Sequence, residues 1–163
     1  MEKSLNEWLK RITQSKDELG GFAICPFAKK AMESNKVYFT TIGAEPVSCI
    51  KSYIEFTPKD FEVIVFIDLL KRLTDGDLLN IIEKCQKGYT DIIFLKDHPD
   101  NPGYINGVST GNGEYPLILA QPRKRLEECR DKLKQTSYYD KWSDEYKSEI
   151  WSYGYEDKIS KLQ

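Results

Sequence analysis

Phe61 to Ile67 reads FEVIVFI, an apolar run with one charge, rich in β-branched residues and too short for a buried helix. A run of this kind predicts a strand covered on both faces, in the middle of a sheet. Downstream, Thr74 caps a helix whose Leu78, Leu79, Ile82 and Cys85 form a stripe and which Gly88 stops, and Asp91 to Lys96 (DIIFLK) is the next strand. Tyr115 to Ala120 (YPLILA) predicts another strand, followed from Pro122 by a helix with Leu126, Cys129, Arg130 and Leu133 on one face.

Upstream, Val37 to Ile42 reads as a strand and Glu45 to Glu55 as a returning helix. Ser4 to Lys16 carries Leu5, Trp8, Leu9 and Ile12 at helical spacing, with Ser4 and Glu7 placed as a capping box. Cys25-Pro26 opens a short helix to Ser34, with Cys25 at its N-cap. Tyr138 to Tyr155 holds seven of the twenty aromatics, and Tyr139, Trp142, Tyr146 and Ile150 predict a final helix laid over the core. Alternating strands and helices indicate an α/β layered sandwich of about four strands, with helices on one or both faces; the pattern does not give the strand order.

The chain has 163 residues, 40% hydrophobic and 31% charged, which suits one soluble domain over 1–163, with 137–163 as an aromatic-rich extension packed on it. A domain of this size needs no disulfide or structural metal. Its 24 basic and 26 acidic residues give a net charge of −2, which offers no field for nucleic acid or an anionic membrane. No apolar run is long enough to span a bilayer, and Met1 to Lys10 lacks a signal-peptide core, so a cytoplasmic location is expected. Cys25, Cys49, Cys85 and Cys129 are expected to be free thiols; the last three are expected to be packing residues. No Cys-x-x-Cys pair occurs and His98 is the lone histidine, which excludes common zinc modules and two-cysteine thioredoxin centres.

Asp97 to Glu114 (DHPDNPGYINGVSTGNGE) is a long polar segment at the end of a predicted strand, where ligands bind in open α/β sheets. His98, Asp97 and Asp100 are its candidate catalytic groups, and Asn101, Asn106, Asn112 and Tyr115 its candidate substrate contacts; a plain Asx turn is the competing reading. Cys25 is the second candidate, because a helix start and the nearby Lys29 and Lys30 favour a thiolate, whereas burial would oppose it. Arg123 and Arg125, with Lys124, open a helix and could build an anion pocket or a solvated face. Asp97, His98, Asp100 and Cys25 fit no standard metal spacing, so no metal site is predicted. The glycines match neither a dinucleotide fingerprint nor a P-loop. The acidic neighbours of the aromatic tail argue for core packing over base stacking.

The order of these features, namely Trp8 in the first helix, Cys25-Pro26-Phe27-Ala28, an apolar strand near residue 64, His98-Pro99 and Tyr115-Pro116, resembles a bacterial domain-of-unknown-function family over Leu5 to Leu133. That resemblance marks positions of interest and implies no reaction; the aromatic extension departs from it. The CPFA tetrapeptide is also similar to the motif of omega-class glutathione transferases and monothiol glutaredoxins. There the cysteine bonds to glutathione, and Tyr115-Pro116 would supply a facing cis-proline; the strand that should precede the motif is hard to find here.

Three functions are expected from these residues. The first is a small cytosolic enzyme in which His98 activates Cys25, an aspartate orients the ring, and Arg123 or Arg125 meets an anionic small-molecule substrate. No cofactor is expected there. The second is a thiol-redox or glutathione-dependent protein using Cys25 alone. The third is a non-catalytic module that uses the aromatic tail as an interface. The oligomeric state stays open.

Overall fold

The computed structural model describes residues 2–152. In chain order it contains α1 (Glu2–Thr13), β1 (Ser15–Lys16), β2 (Phe22–Ala23), α2 (Ala28–Glu33), β3 (Val37–Thr41), α3 (Pro46–Phe56), β4 (Val63–Ile67), α4 (Asp75–Gln86), β5 (Ile92–Asp97), β6 (Tyr104–Ile105), β7 (Val108–Ser109), β8 (Leu117–Pro122), α5 (Arg123–Lys134) and α6 (Asp144–Ser152). The architecture is α/β, and the main sheet has four strands in the order β3-β4-β8-β5. Strand β3 runs parallel to β4, whereas β8 is antiparallel to both β4 and β5, so β3, β4 and β5 share one direction and β8 opposes them.

The apolar run of β4 is explained by its two covers. Ile64 and Phe66 face a layer made by Ile50 and Ile54 of α3 and Leu78, Ile81 and Cys85 of α4. Val65 and Ile67 face α1, through Leu5, Trp8, Leu9 and Ile12, together with Leu19, Ile105 and Tyr115. Helices α3 and α4 lie on the same face because both crossovers advance in one direction across the sheet, and parallel crossovers keep one hand.

Several local expectations are corrected. The stripe of α4 is Leu78, Ile81 and Cys85, while Leu79 is 40% exposed, because i, i+3 and i+7 share a face and i+1 is turned by about 100°. Thr74 does cap α4, in a box completed by Asp77. Helix α1 starts at Glu2, so Ser4 lies inside it and caps nothing. Helix α2 starts at Ala28 with Phe27 as N-cap, which leaves Cys25 in the preceding turn. The aromatic segment is not one helix: Ser137–Lys141 is a 3-10 turn and α6 follows it. Tyr155 and the side chain of Ile150 lie outside the described residues. Tyr138, Tyr139, Trp142 and Tyr146 form one ring cluster, Trp142 and Tyr146 pack against the α1 side of the core, and the Tyr138 hydroxyl donates to the Ile24 carbonyl. The long polar segment holds the β6–β7 hairpin, whose Asn106 and Gly107 both have positive φ, at 46° and 81°, as an Asn-Gly hairpin turn requires. Among the described residues no helix is long and apolar enough to cross a membrane.

This layering predicts that Phe66→Ala, which empties a site with 0% exposure, lowers the unfolding free energy by about 3–5 kcal/mol. Leu79→Ala is expected to stay below about 1 kcal/mol. Urea denaturation of the two variants checks the contrast.

Candidate functional site

Because β8 separates β4 from β5, the loops that leave the carboxyl ends of those two strands begin about 10 Å apart, across two strand spacings. They meet above the start of β8. The crevice they form has a volume of about 320 Å³ and is lined by Lys71, Arg72, Thr74, Asp75, His98, Asp100 and Glu114, with Leu73, Pro99 and Pro116 completing it.

Asp68, the first residue after β4, builds one wall. It is 1% exposed, and its Oδ2 accepts the backbone N–H groups of Arg72 at 2.6 Å and Leu73 at 2.7 Å. The chain turns tightly enough for this because Lys71 adopts a left-handed conformation, with φ 52°, and donates its N–H to the Asp68 carbonyl. The other carboxylate oxygen, Oδ1, is buried without a hydrogen bond, and the Arg72 Nε lies 4.0 Å from it. Lys71 lies over the Tyr115 ring, 4.9 Å from its centre, and 3.8 Å from Glu114. Glu114 is held below the usual carboxylate range, first by a hydrogen bond with Ser4 of α1, then by Tyr115 and by the charge of Lys71. Asp75 is also lowered: burial would raise it, but hydrogen bonds from Lys96 and Asn101 and the charge of Lys96 outweigh that.

His98 is buried in the second wall, and both ring nitrogens are engaged by backbone. Nε2 faces the Leu73 carbonyl at 3.1 Å, and Nδ1 accepts the Asp100 N–H at 3.1 Å. A carbonyl only accepts, so Nε2 carries the proton of this bond. The ring therefore joins the loop after β5 to the loop after β4. It is a brace across the mouth of β8, with neither nitrogen left for a substrate. Asp97 is similarly committed: its Oδ2 accepts from the Asn112 N–H at 2.7 Å and from Asn112 Nδ2 at 2.6 Å. Asn112 then donates to the Tyr115 carbonyl and accepts from the N–H groups of Glu114 and Tyr115. Asn101 donates to Asp75, and Asn106 to the Glu18 carbonyl at 2.7 Å. A Cβ on Gly111 would lie 2.7 Å from Asp97 Oδ1, so any larger residue there forces that carboxylate to shift. Asp100 alone of the predicted acids remains open, its side chain 91% exposed.

Cys25 lies at the other end of the sheet. With Ala28, Glu62, Val63, Gln121, Pro122, Arg125 and Cys129 it lines a cavity of about 70 Å³. The two sites sit at opposite ends of β8, where Pro116 borders the crevice and Pro122 the cavity, roughly 20 Å apart by strand rise. The predicted Cys25–His98 pair is therefore not assembled. The residue keeps part of its surface open while its sulfur is desolvated, and that burial pushes the thiol up against the opposing N–H groups of Ala28 and Phe27. Arg125 is paired with Glu62 at 2.9 Å, and Arg123 donates its Nε to the Thr90 carbonyl at 2.6 Å, so the two do not converge on an anion. Lys29 is exposed on α2. Among the described residues no group of three or more His, Cys, Asp or Glu side chains could hold a metal ion. The Tyr115–Pro116 bond is trans, and the strand before Cys25 is a two-residue piece outside the main sheet, so neither feature of the glutathione-binding motif is present.

Asp68 and Arg72 are the residues that sequence reading missed. The signal available was an aspartate directly after the most buried strand, followed by two cations.

If His98 is a brace, His98→Ala leaves a carbonyl and an N–H unpaired and destabilises by about 1–3 kcal/mol for each group that stays dry. Nitrogen-15 NMR of the folded protein is expected to show the Nε2–H tautomer. Asp75 and Glu114 have lowered values, so their contribution to stability is present above about pH 4, the unfolded carboxylate value, and is lost as pH falls through the folded one. Denaturation followed between pH 6 and pH 2 checks this, with Asp75→Asn expected to flatten the acid limb.

Compared with known proteins, the chain matches no protein family, no curated protein and no solved structure.

Proposed function

We propose that the protein binds a small molecule bearing a carboxylate or phosphate in the crevice at the carboxyl ends of β4 and β5. The observation that carries this reading is the Asp68–Arg72 pair. A buried carboxylate with one oxygen lacking a hydrogen bond is costly unless a cation stays near it, and Arg72 Nε is the cation that faces it. A guanidinium has two usable edges. With Nε turned to Asp68, the terminal Nη1/Nη2 edge is free of partners among the described residues and belongs to a side chain that borders the crevice.

Other features support an anionic guest. Lys71 is held at the rim by Tyr115 and Glu114, and the first turn of α4, the positive end of its dipole, lies on the same wall. Of the three carboxylates that line the crevice, Asp75 and Glu114 are already engaged by Lys96, Asn101, Ser4 and Lys71, which lowers the repulsion an anion would meet, and Asp100 is exposed to solvent. The volume suits a metabolite-sized ligand. Asp68 is a positioning residue in this reading, and Arg72 the contact.

Titration with inorganic phosphate and, separately, succinate, followed by amide NMR shifts, tests the proposal. At least one of the two is expected to move the resonances of Lys71, Arg72 and Thr74. Arg72→Ala is expected to weaken that binding at least about tenfold, the size of one charge-assisted hydrogen bond. Asp68→Asn, which keeps the shape, is expected to weaken it less. No response to either anion, or binding that survives Arg72→Ala unchanged, overturns the reading.

A further inference from the structure

The small cavity at the opposite end of the sheet brings together two of the four free thiols. Cys25, in the turn before α2, and Cys129, on the buried face of α5, border the same space of about 70 Å³. The remaining lining is small or apolar, apart from Gln121 and the Glu62–Arg125 ion pair. We propose that Cys25 and Cys129 form a reversible disulfide across this cavity, tying the turn before α2 to α5. The inference stands apart from the crevice and does not depend on a ligand there.

Proximity is supported by charge as well as by shared lining, since a negative charge on Cys129 opposes ionisation of Cys25. Burial, and after it the charge of Cys25, raises the Tyr138 phenol, whose hydroxyl donates to the Ile24 carbonyl beside Cys25. The other two cysteines have no such partner: Cys49 donates to the Thr41 carbonyl at the opposite end of the edge strand β3, and Cys85 is buried among the α3–α4 core.

The oxidant is a low-molecular-weight disulfide such as oxidised glutathione. Cys25 keeps part of its residue surface open where Cys129 is buried, and once local opening exposes its sulfur the Cys25 thiolate attacks one sulfur of that disulfide, forming a mixed disulfide and releasing one glutathione thiolate, which takes up the proton. The Cys129 thiolate then attacks the Cys25 sulfur and expels the second glutathione. Two hydrogens and two electrons pass to glutathione, and one sulfur–sulfur bond is left in the protein. Burial raises both thiols, so the exchange is slow at neutral pH and faster in mild alkali.

The folded full chain is incubated with oxidised glutathione at about pH 8.5, the ordinary thiol value, then alkylated and mapped by peptide mass spectrometry. The expected result is a Cys25–Cys129 linked peptide, a mass loss of two hydrogens, and two alkylatable thiols remaining of four. Cys129→Ser, which lacks the resolving thiol, is expected to accumulate the glutathione adduct on Cys25. A stable adduct on Cys25 in the unsubstituted chain, linkage to Cys49 or Cys85, or no reaction at either thiol overturns the proposal. Because the unsubstituted chain alone decides the outcome, a variant that fails to fold does not affect it.

Discussion

Strand β8 enters the sheet against the direction of the strands on both its sides, and most of the functional geometry stems from this. An antiparallel strand between β4 and β5 puts its start beside their ends. The loops leaving β4 and β5 must then reach over Tyr115 and Pro116 to meet. Each needs polar anchors, since the loop backbones there cannot pair with a strand. Asp68 supplies them on one side by gathering two N–H groups, and His98 supplies them on the other by bonding the Leu73 carbonyl and the Asp100 N–H. The crevice is the space left between these anchored loops.

The same constraint separates the two chemically interesting residues. A strand that spans the domain has one end beside His98 and the other beside Cys25, so the histidine and the cysteine belong to different sites. Their surroundings differ in kind. The crevice is open and lined by charges of both signs, whereas the cavity is small and mainly apolar, with one salt bridge at its edge. The proposed anion belongs to the first, and the proposed bond between thiols to the second.

The polar, glycine-rich segment after β5 shows why residue type alone misleads. Asp97, Asn112 and His98 resemble an acid, an amide and a base gathered for chemistry. In the folded chain the two His98 ring nitrogens, Oδ2 of Asp97 and the Asn112 amide are occupied by backbone or by one another. Asn106 and Gly107 turn a short hairpin, and Arg11 and Trp8 of α1 bind carbonyls of Gly111 and Thr110. A segment with few apolar residues is held in place by saturating its polar groups, and those bonds are what the unusual composition provides.

The class of fold and the place of nearly every main element were legible in the order of residues alone. Local periodicity and caps report which faces are apolar: FEVIVFI had to be buried on both sides, Thr74 had to begin a helix, and the strands near residues 37, 92 and 117 obey the same rule. The aromatic tail could be read as packing, though not its break after Lys141. That β8 lies between β4 and β5 and runs the other way came from the folded chain, because strand order is set by long-range hydrogen bonds that leave no periodic mark. That single choice took Cys25 away from His98, placed it beside Cys129, and made Asp68 and Arg72 the neighbours of an open crevice.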